Sequence, residues 1–364
     1  LKVEEGRVVE IKEGTIAAIG PRINCDRNLL MPGIIDVHSD ALEKYVEPRP
    51  KSMFPLPAAI LNFERTLITY GITTMYHCVS APKHDIHGRI AREKEVAFQV
   101  LHELNRLKPL MLTQAKVHFR YDMLHSELLP DLKNMIADGL IDLLSIMDHT
   151  PGQGQFSDKE RYMERMEDHT HSKREEFEMI VEDRIRAHEA RDDTVVESLI
   201  ATCLKHGIAV ASHDDDSIEK VNWVRSMGVT ISEFPVNETA AREASEHNMA
   251  IAFGSPNVLR GKSLSGNISA KESIKKGMGS VLCSDYAPMS LLHAVFLLSD
   301  ENVMSMEQAV NMVSLNPARA VGIAEETGSI EIGKAADLIL VECKQEVPLI
   351  KKTIVYGREV FSVN

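Results

Sequence analysis

The sequence predicts an α/β chain folded as a (β/α)8 TIM-like barrel, with a small β-sandwich domain formed by both chain ends. Three observations lead there. From Gly71 onward a unit recurs in which a helix-forming stretch, a Gly and a short apolar or β-branched run end in a polar residue. Those runs are continuously apolar, as parallel strands covered by helices are. The two chain ends instead alternate apolar with polar residues, as half-exposed antiparallel strands do.

The barrel strands can be read in order. The first is "LLMPGIIDVHSD" (29–40), followed by "GITTMYH" (71–77) and the looser "MLTQAKVHFRYD" (111–122). Then come "GLIDLLSIMDH" (139–149), "GIAVASHD" (207–214), "GVTISEF" (228–234), "MAIAFGS" (249–255) and "GSVLCSD" (279–285). Eight such runs in one chain favour a closed barrel over an open sheet. Intervening helices are expected at 58–70, 89–107, 217–227, 237–247 and 289–299. Residues 150–206 read as an insertion of two charged helices leaving the barrel, with His169, His171 and His188 on a solvated face. "LKVEEGRVVEIKEGTIAAIG" supplies two alternating strands and the last 37 or so residues three more. The expected division is therefore 1–30 plus 326–364 for the small β-domain and 31–325 for the barrel.

The chain has 364 residues, 44% of them hydrophobic and 26% charged, which is ample for a large core. Its formal charge of -13 opposes nucleic-acid binding through bulk electrostatics. An anionic small-molecule substrate stays open to it where cations gather locally. No apolar run approaches the roughly 20 residues that span a bilayer, so no membrane partner is expected. Cys25, Cys78, Cys203, Cys283 and Cys343 form no CxxC pair. Neither a disulfide framework nor a thiolate zinc site is expected, and the expected location is cytoplasmic. The charged insertion leaves a homo-oligomer open.

In a barrel the chemistry sits at the C-terminal ends of the strands. Here those ends carry His38 and Asp40, His77, His118, Asp148 and His149, His213 and Asp214, Glu233, and Asp285. Any one of them can cap a following helix. Their succession around one barrel mouth points instead to a divalent-metal site. Candidate cations for an anionic substrate are Lys44 and Arg49 in "EKYVEPRPK", Arg120 in "HFRYD", and Arg260 and Lys262 with Ser265 in "GSPNVLRGKSLSGN". The "GKS" of that last stretch is no P-loop, because Pro256 stands where the motif needs its first Gly.

"MPGIIDVH" after a strand pair, and "GSIEIGKAADLILVE…TIVYGREV" at the end, resemble the entry and exit of the amidohydrolase superfamily. The likeness extends over essentially the whole chain. Within that superfamily, "DVHSDALEKYVEPRP", "SIMDHTPGQGQF", "SHDD", "SEFP", "SPNVLRGKSLSGN" and "CSDYAP" are similar to the diphosphatases of phosphonate metabolism that act on α-D-ribose 1-methylphosphonate 5-triphosphate. The resemblance implies a hydrolase that releases pyrophosphate and leaves the ribose 5-phosphate. It also implies a divalent-metal cofactor, taken as two ions of Zn, Mn or Mg. His38, Asp40, His213 and Asp285 are the expected ligands, with Asp122 or Asp148 as the bridging carboxylate. His118 and His149 are ligands or their partners, and Asp285 by analogy takes the proton of the attacking water.

Two departures from the superfamily pattern stand out. Its usual His-x-His is here His38-Ser39-Asp40, and Asp148-His149 stands at the end of strand four where a lysine is usual. More oxygen ligation suits Mn²⁺ or Mg²⁺ alongside Zn²⁺. The alternative function is an amidohydrolase cutting a C–N bond, a deaminase or cyclic amidase, with the same ligands polarising a carbonyl. A scaffold without its metal is a third reading, opposed by the presence of His38, His213 and Asp285.

Overall fold

The computed structural model describes residues 1–14, 16, 20–83, 88–148, 150, 174–263 and 267–363, with backbone alone for 174–178. Both chain ends build antiparallel sheets. β1 (Lys2–Glu4) and β2 (Arg7–Glu10) form a hairpin, and β3 (Leu29–Pro32) joins three strands from the other end of the chain. The latter are β12 (Leu338–Lys344), β13 (Val347–Val355) and β14 (Arg358–Ser362), in the order β14-β13-β12-β3. The hairpin leans on the same segment, Val8 N–H donating to the Lys334 carbonyl at 3.0 Å. Val8, Ala336, Leu338 and Ile354 form a small core of their own.

Gly33 separates β3 from β4 (Ile34–Ser39), the first strand of an eight-stranded parallel sheet. A Cβ at Gly33 would lie 2.2 Å from Thr73 Oγ1 and 2.4 Å from its Cγ2, so the close approach of β3–β4 to the next strand requires glycine there. The sheet continues in chain order through β5 (Ile72–Ser80), β6 (Gln114–Asp122), β7 (Leu143–Met147) and β8 (Ala209–His213). It ends with β9 (Ile231–Glu233), β10 (Ala250–Gly254) and β11 (Val281–Cys283). A parallel bridge between Ser39 and Asp285 brings β11 back to β4 and closes the barrel.

Helices fill crossovers at Leu56–Leu67, Lys94–Leu107, Leu129–Ala137, Ile218–Ser226 and Glu238–Glu246, and Ser290–Asp300 follows the last barrel strand. Their starts follow ordinary capping chemistry. Ser217 accepts the Lys220 N–H at 3.2 Å, and Asn237 accepts the Ala240 N–H at 2.9 Å. None of the helices is long and apolar enough to cross a membrane, among the described residues.

One expectation needs correcting. The helix Asp193–Lys205 does not leave the barrel. It buries Val196, Leu199, Ile200 and Cys203, an i, i+3, i+4, i+7 stripe, and is the crossover helix between β7 and β8. The charge of the residues before it hid that stripe. The helix ahead of it, Arg174–Glu189, is charged as expected, yet its Arg184 is buried.

Strand alternation decides what faces the barrel interior. On β6, Val117, Phe119 and Tyr121 pack outward in the helix-facing core, which leaves His118, Arg120 and Asp122 in one inward row. On β5 the outward set includes Met75 and Val79, so His77 between them also points outward, 5.8 Å from the Phe63 ring. His77 is therefore placed away from the mouth. On β4 the register against β5 slips between Asp36 and Ser39. A bulge of this kind re-aims the side chains beside it, and His38 lies with the inward histidines.

Candidate metal centre

His38 is the hub of the barrel mouth. Its ring centroid lies 5.1 Å from that of His118 and 5.5 Å from that of His213. Its Nδ1 is 3.1 Å from Glu233 Oε1, off the angle of a hydrogen bond. His118 Nε2 is 3.9 Å from the same oxygen. All four side chains are buried.

The proton positions follow from the partners. His118 Nδ1 lies 3.0 Å from the Val37 carbonyl, so that nitrogen carries the proton and Nε2 presents its lone pair. His213 Nε2 lies 3.1 Å from Arg120 Nη2, which can only donate, so its proton is on Nδ1, 2.9 Å from Asp214 Oδ2 but off the angle of a hydrogen bond. Cys78 Sγ approaches His118 at 3.6 Å, but on the Nδ1 side, behind the lone pair.

The electrostatics suit a cation. Burial and the Arg120 guanidinium hold His213 well below its ordinary value. Burial, opposed by Glu233, puts His118 at about 4. Burial would raise Glu233, but His38 and His118 outweigh it and bring it to about 2. Burial would lower His38, but Glu233 holds it above its usual value. Glu233 is thus an anion among imidazoles.

Asp40 and Asp285 form the outer part of the cluster. Oxygens of both lie within 4.8 Å of a His38 nitrogen and of each other, as do donors of His38, His213 and Glu233. Burial and the neighbouring Asp40 push Asp285 up to about 6. Asp40 accepts from Arg120 Nη1 at 2.7 and 3.0 Å, and Arg120 Nη2 is 3.1 Å from His213 Nε2.

A donor set of imidazole nitrogens and carboxylates fits a divalent ion. His118 Nε2 and both Glu233 oxygens are buried with no hydrogen-bond partner among the described residues, as expected of atoms meant for a cation. The strand-end reading noted Glu233 but left it out of the ligand set, because one Glu in "SEFP" does not show that it faces three histidines.

Asp122 and Asp148 each have basic partners. Asp122 Oδ2 is 3.4 Å from Arg184 Nη2. Asp148 Oδ2 is 2.7 Å from His188 Nδ1 and 3.0 Å from Arg191 Nη1, so His188 does not sit on a free solvated face. His149, Ser265, His169 and His171 lie outside the described residues.

The rim carries the remaining cations. Arg92 Nε donates to Glu43 Oε1 at 2.9 Å, and Arg92 Nη2 is 4.0 Å from Asp40 Oδ2. Arg89 reaches the same Glu43 at 3.5 Å. Lys44 Nζ stands 5.2 Å over the ring of Tyr286, the residue after Asp285. Arg49, Arg260 and Lys262 are exposed. Arg89 and Arg92 were absent from the sequence-derived cations. A signal existed in the paired arginines of "GRIAREK", which the loop after β5 carries to the first ligands.

The sequence model of the amidohydrolase family matches residues 110–360. The alpha-D-ribose 1-methylphosphonate 5-triphosphate diphosphatase of Escherichia coli (strain K12) is 31% identical over 363 residues, 99% of this chain and 95% of that protein. The imidazolonepropionase of Thermoplasma acidophilum is 30% identical over 100 residues, 26% of this chain and 23% of that protein. Among solved structures, a Xaa-Pro dipeptidase with bound methionine superposes with a TM-score of 0.64 at 13% identity, covering 98% of this chain and 93% of that one. The N-acetylglucosamine-6-phosphate deacetylase of Pasteurella multocida gives 0.62 at 12% identity, with the same coverage. At such identities the superpositions show the fold alone.

Proposed function

The chain belongs to the amidohydrolase family, whose members are hydrolases, and from that premise we propose that it cleaves α-D-ribose 1-methylphosphonate 5-triphosphate to the 5-phosphate and pyrophosphate. The observation that carries this is the similarity to a diphosphatase of that substrate, which extends over 99% of the chain. Buried ligands at the centre and arginines at the rim support it.

In this reading His38, His118 and Glu233 would hold a divalent ion of the Zn, Mn or Mg class, with Asp40, His213 and Asp285 near them. Such an ion would lower the pKa of a water and draw charge from a phosphoryl oxygen. Asp285, beside His38 and Asp40, would accept the proton of the attacking water and return it towards the leaving pyrophosphate. Arg92, Arg89 and Lys44 face the polyphosphate, guanidinium groups pairing with its oxygens two at a time. Asp122 and Asp148 are not placed in the ligand set, because their oxygens are already engaged by Arg184, His188 and Arg191.

The test is pyrophosphate release from the triphosphate by protein loaded with Mn²⁺ or Zn²⁺, against a chelator-treated control. Metal-dependent release supports the proposal. Turnover of a cyclic amide or N-acyl compound with no pyrophosphate from the triphosphate would show that the site acts on C–N bonds.

A further inference from the structure

We infer that Arg120 is the second cation of the centre, so that the chain takes a single divalent ion. The inference rests on the mouth being a metal site, but not on the identity of the substrate.

The cluster divides into two unlike halves. On one side the lone pair of His118 Nε2 and both oxygens of Glu233 meet no N–H donor among the described residues. On the other side a guanidinium already stands between the ligands. Arg120 Nη1 gives both Asp40 oxygens a hydrogen bond, at 2.7 and 3.0 Å. Its Nη2 is 3.1 Å from His213 Nε2. Guanidinium nitrogens only donate, so His213 Nε2 accepts the Arg120 N–H with its one lone pair, which leaves the ring proton on Nδ1, near Asp214. That lone pair cannot serve a metal ion at the same time.

Arg120 is also built into the barrel. It stands in the inward row of β6 between His118 and Asp122, with its side chain 8% exposed. An arginine stays protonated at any working pH, so this positive charge is permanent. Two-metal sites place their ions about 3.5–4 Å apart and share carboxylates between them. Here Asp40 and His213, which a second ion would need, are joined by a fixed charge instead. The expectation of two ions carried over from the superfamily is replaced by one ion and one guanidinium, the latter also able to meet a phosphoryl oxygen.

The experiment counts metal without any substrate. Full-length protein is loaded with Mn²⁺, freed of unbound ion by gel filtration, and measured by elemental analysis and electron paramagnetic resonance. About one ion per chain with an isolated-ion spectrum is expected. Arg120→Met should raise the count towards about two, with a spin-coupled spectrum, whereas Arg120→Lys, which keeps the charge, should stay near one. Circular dichroism and thermal unfolding check that each variant is folded. About two coupled ions in the unaltered protein would overturn the inference, as would a folded Arg120→Met that still holds one. No bound ion at all would remove both this inference and the metal site beneath it, an outcome distinct from the other two.

Discussion

Asp285 donates its backbone N–H to the carbonyl of His38 at 3.0 Å, and its own carbonyl accepts the N–H of Asp40 at 2.7 Å. The last barrel strand is therefore fastened to the first through the same residues whose side chains meet at the mouth. Asp285 makes this seam with a φ of +56°, a left-handed conformation that Asn and Asp tolerate better than most residues. Asp285→Asn should keep the seam and the melting temperature while kcat falls by about 10²–10⁴-fold. Asp285→Val should lose a further ~1–2 kcal/mol of stability from the strained backbone. Thermal unfolding and pyrophosphate release, measured side by side, separate the two effects.

Glu233 gives a prediction about affinity. Its carboxylate is a buried anion against His38, His118 and His213, and Glu233→Gln keeps its shape without its charge. Metal affinity should fall by more than about 100-fold, measured by competition with a chelator. An unchanged affinity would remove Glu233 from the ligand set.

His77 should respond to pH in the opposite sense from a stabilising ion pair. Neither of its ring nitrogens has a hydrogen-bond partner among the described residues, and burial lowers its pKa to about 3. Its folded value thus lies below the unfolded value of about 6.5. In that window the unfolded chain takes up a proton that the folded chain refuses. Stability is fully present above about pH 6.5 and is lost as the pH falls towards about 3. His77→Leu should remove this loss and raise stability by roughly 1 kcal/mol at neutral pH, by removing an unsatisfied buried polar group. Urea unfolding at pH 7 and pH 5 tests both parts, and a destabilised variant at pH 7 would contradict them.

Gly33→Ala should destabilise by about 1–3 kcal/mol, since its Cβ would overlap the short, buried side chain of Thr73. Pairing it with Thr73→Ala should recover most of that loss in thermal unfolding. Additive losses would place the strain elsewhere.

Arg92→Ala should raise KM for the triphosphate by about tenfold or more, as expected on losing one charge-assisted contact to a phosphate. Arg260→Ala, far more exposed, should change KM by less than about threefold. Equal effects would move the phosphate contacts to the loop after β10.

The barrel was legible in the sequence because each buried parallel strand is a short apolar run ending in a polar residue. The direction of each polar residue was less legible. His77 and His118 end similar runs, yet alternation turns one into the helix layer and the other into the mouth. His38 depends on the slip in register between Asp36 and Ser39, which leaves no mark in composition. The sequence leaves Asp122 and Asp148 as alternatives for a bridging carboxylate, and nothing in it shows that Arg184, His188 and Arg191, from the segment ahead of β8, stand against them. Such pairings are a matter of tertiary packing. No local pattern records them.

The inward row of β6 bears on how such a chain can change its length. Deleting or inserting one residue within β6 would exchange His118, Arg120 and Asp122 with Val117, Phe119 and Tyr121. Ionisable groups would enter the helix layer as apolar ones entered the mouth, so neither face could be rescued by a single substitution. Relatives of this protein should differ in length between the barrel strands and almost never within β6, which makes this strand a fixed ruler for aligning them.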